Sequence, residues 1–79
     1  MPPLAIALCD LPIGGRAVVV AIDAAPELVG RLEALGFLLD TEVVCRRRAP
    51  FGDPRVYELR GTQLCLRRSD ARRIRVELR

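Results

Sequence analysis

The chain has 79 residues, 51% of them apolar, with thirteen arginines, no lysine, no histidine and ten acids, for a formal charge of +3. That length suits one small domain over residues 1–79 and leaves no room for a second. No apolar run approaches the eighteen or more residues of a membrane-spanning helix.

Phe37, Phe51 and Tyr57 are the only aromatics, so the core must be aliphatic. A basic set made wholly of arginine, beside abundant Leu, Ala and Val, is what GC-rich coding produces. With the arginines spread along the chain and acids between them, the positive balance argues only weakly for nucleic acid. Cys9, Cys45 and Cys65 are odd in number and far apart, without the close pairs that metal sites use. They read as small hydrophobes in a reducing compartment. Neither a metal site nor a cofactor is expected. The stretch Met1-Pro-Pro-Leu-Ala-Ile-Ala-Leu lacks the charged start and long apolar run of a signal peptide, so the expected location is cytoplasmic.

In chain order, Leu8 and Leu11 lie three apart before Pro12-Ile13-Gly14-Gly15, which predicts one short helical turn and a break. Arg16 to Asp23, rich in β-branched residues, predicts a first strand. Pro26 to Leu35 predicts the one substantial helix. Pro26 suits the first helical position, Glu27 favours the positive end of the macrodipole, and Leu28, Leu32 and Leu35 form a stripe with Val29 beside them. Gly36 reads as the residue that stops it, with Phe37 packing back on the last turn. Gly30 weakens a helix by up to about 1 kcal/mol relative to alanine, which close approach to a neighbouring strand would justify.

Thr41 to Arg48 predicts a second strand. Arg55 to Arg60 and Thr62 to Arg67 predict a hairpin turning tightly at Gly61. Ser69 is expected to cap a short turn through Arg72, and Ile74 to Leu78 alternates as a fifth strand. Five short strands with one inserted helix predict a mainly β fold, a small and partly open barrel.

The segment Arg46-Arg47-Arg48-Ala49-Pro50-Phe51-Gly52-Asp53-Pro54 stands apart. Pro50 and Pro54 fix their own φ and bias Ala49 and Asp53 toward extended backbone, while Gly52 and Asp53 supply turn chemistry. The loop is shaped but holds no reactive group, which points to recognition. Arg46, Arg47, Arg48, Pro50, Phe51, Asp53 and Pro54 are therefore the candidate partner-binding residues. Phe51 either stands out as an interface aromatic or folds inward to close the barrel. Leu35, Gly36, Phe37 and Gly61 read as structural.

The order of these signals carries a resemblance. Leu-Glu-Ala-Leu-Gly-Phe at 32 to 37, Arg-Ala-Pro-Phe-Gly-Asp-Pro at 48 to 54, Leu-Arg-Gly-Thr at 59 to 62 and Leu-Cys-Leu-Arg-Arg-Ser-Asp-Ala at 64 to 71 together resemble the FeoA family of the bacterial ferrous-iron transport system, over roughly residues 8 to 78. The resemblance implies an SH3-like barrel and a non-enzymatic accessory role toward the FeoB permease, whose GTP-binding domain is cytosolic. Contact with the membrane would then come through that partner, and exposed barrel edges leave weak self-association open. The same barrel resembles the C-terminal domain of DtxR-type metal-dependent repressors, although no helix-turn-helix precedes it here. The family often has glycine or proline where this chain has Leu39-Asp40, which bears on the turn there.

The other readings are weaker. A nucleic-acid-binding barrel would need aromatic stacking platforms on a basic face, and only Phe51 and Tyr57 lie near the arginines. A proline-peptide groove would need several aromatics. An enzyme would need a general base, paired carboxylates or an activated nucleophile, and none is visible.

Overall fold

A computed structural model describes residues 5–79; Met1 to Leu4, part of the expected domain and leader reading, lie outside them. The elements in chain order are β1 (Ala5–Ala7), a 3₁₀ turn (Leu8–Asp10), β2 (Arg16–Ile22), α1 (Pro26–Leu35), β3 (Glu42–Arg48), β4 (Arg55–Leu59), β5 (Thr62–Leu66), α2 (Arg68–Ala71) and β6 (Ile74–Leu78). The six strands form one antiparallel sheet in the order β1-β6-β2-β3-β4-β5. Among the described residues no ladder joins β1 to β5, the two edges. The sheet has six strands, not the expected five. The extra one, β1, pairs Ala5 with Glu77 and Ala7 with Arg75.

Two register shifts bend the sheet. One falls between Val19 and Ala21 where β2 meets β6, the other between Cys45 and Arg47 where β3 meets β4. Each leaves one residue, Val20 or Arg46, outside the regular pairing, and such bulges strengthen strand twist. The concave side encloses Leu8, Leu11, Val19, Leu32, Phe37, Val43, Tyr57, Ile74 and Val76, all essentially fully buried. Aliphatic residues supply most of this core, as the composition requires.

Helix α1 starts at Pro26 and ends at Gly36, which adopts φ 113°. The Gly36 N–H donates to Glu33 O at 2.9 Å and the Phe37 N–H to Leu32 O at 3.0 Å. This paired closure needs the left-handed backbone that glycine adopts without strain. It turns Phe37 under the last turn into the core position that Leu35 would otherwise fill, so Leu35 stays half exposed. The expected stripe is thus narrower than its spacing implied, with Leu32 fully buried and Leu28 partly so. No atom lies within 4 Å of where a Cβ on Gly30 would stand, so close approach does not explain that glycine.

Between β4 and β5 the turn is Arg60-Gly61, both at positive φ (51° and 82°), flanked by the Leu59–Thr62 pair. Two such residues make the turn whose twist matches the strands. Beyond α1, Asp40 adopts φ 67°, and its N–H donates to Val19 O at 2.8 Å. Ser69 does not cap α2. The position before the helix is Arg67, with no capping side chain of its own, and the first turn is met from elsewhere in the fold.

Candidate functional site

Residues 49–54 connect β3 to β4 beyond the terminal Arg48–Arg55 pair. Inside this connection the Ala49 N–H donates to Pro54 O at 2.9 Å and the Gly52 N–H to Ala49 O at 2.8 Å. A third bond fixes the loop from outside, because Asp53 Oδ1 accepts from the Arg68 N–H at 2.9 Å. That N–H opens α2 and has no partner within the helix, so the carboxylate does the work expected of Ser69. Asp53 thus serves architecture, and Pro54 is half-buried beside it. Phe51 stands at the tip, 98% exposed. The inward reading of Phe51 is overturned: the loop's own bonds turn it into a protrusion. Pro50 is exposed next to it.

The arginine triplet separates into different roles. At the bulge, Arg46 makes a two-point contact with Glu58 on β4, Nε to Oε1 at 3.1 Å and Nη2 to Oε2 at 3.0 Å. The hydrogen bond to Arg46 holds the Glu58 carboxyl below its ordinary value, with Gln63 and the Arg46 charge adding to the effect. The Arg46 guanidinium is in turn raised by the same bond and charge. Arg46 is therefore occupied. Arg47 reaches only Gln63 Oε1, at 3.5 Å, and Arg48 is exposed. Among the described residues the only other ion pair is Arg16–Glu42 at 3.4 Å, which leaves Arg47 and Arg48 without a carboxylate partner.

Charge is also less interleaved along the chain than a first reading suggests. Residues 1–45 hold two arginines and six acids, net −4, whereas residues 46–79 hold eleven arginines and four acids, net +7. The acids gather around α1 and the opposite end of the strands. There, Asp40, Glu42, Glu58 and Arg60 line a cleft of about 320 Å³. A smaller, apolar cleft of about 170 Å³ lies between α1 and β2, lined by Ile22, Val29, Glu33, Phe37 and Leu39. Leu39 at its rim is 61% exposed, with Leu35 and Leu38 also reaching solvent. The surface at the C-terminal end of α1 and in the segment after it is therefore apolar.

Of the cysteines, Cys9 and Cys45 are buried as expected. Cys65 is exposed on edge strand β5, because its register opposite Val56 sets it on the outer face. Tyr57 is fully buried, and burial pushes its phenol far above the usual range. Its hydroxyl has no hydrogen-bond partner among the described residues. Among those residues no group of three or more Cys, Asp or Glu side chains is placed to hold a metal ion.

The profile of the FeoA domain matches residues 6–78. The chain belongs to the FeoA family. Its fold is similar to that of the FeoA-like protein of Clostridium acetobutylicum, at 32% identity and a TM-score of 0.88, over 99% of this chain and 90% of that one. It is likewise similar to Stenotrophomonas maltophilia FeoA in complex with zinc, at 31% identity and a TM-score of 0.78, over 94% and 89% of the two chains. That protein is described as a prokaryotic SH3 domain protein and proposed as a ferrous iron transport activating factor. A manganese-dependent transcriptional repressor shares the fold at 24% identity and a TM-score of 0.88, over 99% of this chain and 38% of its own. Among curated protein sequences none matches. The SH3-like architecture expected of the family thus holds for this FeoA-family chain, with six strands and an α1 inserted between β2 and β3.

Proposed function

We propose that this FeoA-family chain is a non-enzymatic accessory protein of ferrous-iron uptake that docks on the cytosolic part of an FeoB-type GTP-binding permease. The observation that carries the reading is Phe51, wholly exposed on a loop held by Asp53 and by two internal backbone bonds. A loop so fixed loses little conformational entropy on binding, and an aromatic beside free arginines is the composition of an interface hot spot. Arg47, Arg48, Pro50 and Phe51 form the contact, with the apolar side of α1 as a second surface. Asp53 and Pro54 keep the loop in shape, and Arg46 belongs to the β3–β4 pairing.

The non-enzymatic part of the reading rests on chemistry. The chain has no histidine, and each perturbed group has a structural cause: Arg46 and Glu58 hold each other, and Tyr57 is simply buried. The test is a pull-down of purified, detergent-solubilised permease by folded variants. Phe51→Ala and Arg47→Glu should lower capture at least tenfold, and Leu39→Asp should lower it through the α1 side. Capture equal to wild type by all three would remove both surfaces.

A further inference from the structure

We propose that the end of the sheet bearing Phe51 binds the anionic headgroup surface of a lipid bilayer directly, independently of any permease. Strands β2 and β4 begin at this end and β3 and β5 finish there, so three connections converge. The β3–β4 loop presents Phe51 at 98% exposure. The turn before β2 presents Ile13 at 50% exposure. It is fixed to the same end by the Gly14 N–H donating to Cys45 O at 2.6 Å and by Arg55 Nη1 donating to Leu11 O at 2.8 Å. The third connection follows β5, where the Arg48, Arg55 and Leu66 row sets Arg67 and Arg68 beside the loop.

Arg47, Arg48, Arg67 and Arg68 are exposed, and among the described residues no carboxylate lies within 4 Å of their guanidinium groups. The loop's own acid, Asp53, is already engaged by the Arg68 N–H. The result is an end with apolar tips flanked by free guanidinium groups. Aromatic rings settle at the headgroup level, and arginines are drawn to acidic lipid within a Debye length.

The experiment uses the intact purified chain with phosphatidylcholine vesicles made with or without phosphatidylglycerol. Sedimentation with the anionic vesicles alone, falling as salt rises, is the expected result. Each arginine at the surface contributes roughly fivefold to binding, so Arg67→Glu with Arg68→Glu should weaken it by more than about tenfold. Phe51→Ala should weaken it about tenfold with an unchanged circular dichroism spectrum. The chain has no tryptophan, so Phe51→Trp should retain binding and shift its emission to the blue with anionic vesicles only.

Equal binding to both vesicle types, unshifted emission, or wild-type binding by the charge-reversed variant would overturn the proposal. Phe51-dependent capture on immobilised polyglutamate without vesicle binding would overturn it in favour of an acidic protein partner. Because the vesicles contain no protein and the pull-down contains no anionic lipid, this contact and the permease contact stand or fall separately.

Discussion

Asp53 and Arg68 are joined by a 2.9 Å hydrogen bond from the backbone N–H of Arg68 to the Asp53 carboxylate. One bond thereby closes the first turn of α2 and fixes the loop that carries Phe51. Asp53→Ala should destabilise the fold by about 1 kcal/mol, the usual cost of losing a helix-capping acceptor. It should also weaken permease capture, although no contact residue is altered. Asp53→Asn keeps an acceptor oxygen and should retain most of the stability. Urea unfolding of the three proteins checks the order.

The Arg46–Glu58 pair makes stability depend on pH in a defined direction. Glu58 is depressed from its ordinary value of 4.5, first by the hydrogen bond from Arg46. Its contribution is complete above the unfolded value and disappears as pH falls through the lower folded value. Glu58→Gln should therefore flatten the loss of stability below about pH 5, read from urea midpoints across the acid range. Both side chains are exposed enough for salt to screen the pair, so added salt should shrink the difference between wild type and variant.

Gly30→Ala should stabilise the protein by up to about 1 kcal/mol, because a methyl group there meets nothing within 4 Å and alanine is the better helix former. Thermal unfolding gives the sign directly. Unchanged stability would mean that tertiary packing, not helix propensity, sets the strength of α1.

Tyr57→Phe should be neutral or stabilising by about 1 kcal/mol, because the hydroxyl it removes is buried without a partner and such a group carries a desolvation cost. A loss of stability on this substitution would show that the hydroxyl is satisfied in solution.

Much of the fold could be read from the residues themselves. Pro26 and Gly36 bound α1 because one fixes φ at the helix start and the other adopts the left-handed backbone at its end, both local properties. The Arg60-Gly61 turn is likewise local. Strand β1 was not legible: Ala5-Ile6-Ala7 has little strand preference of its own and becomes a strand only through β6, some seventy residues away. The cap of α2 escaped for the same reason. Ser69 is the natural local candidate, but the acceptor that reaches the helix is Asp53, brought there by the β3–β4–β5 register.

The loop was legible as a shaped segment, yet the division of its arginines was not. A bulge at Arg46, invisible in the pattern, turns that residue toward Glu58. The remaining signal lay in plain view as the split between an acidic first half and a basic second half. It does not divide the two ends of the molecule cleanly, because Arg60 lines the acidic cleft and the Arg73 carbonyl accepts from the Asp23 N–H where β2 finishes.

The central claim concerns what Phe51 touches, and a photo-crosslinking amino acid placed at position 51 addresses it directly. Irradiated with the purified permease, the chain should form a covalent adduct mapping to the cytosolic part of that protein. A control probe at exposed Thr62, which pairs with Leu59 at the opposite end of the sheet, should form none. A good yield from a probe on α1, with none from position 51, would contradict the account.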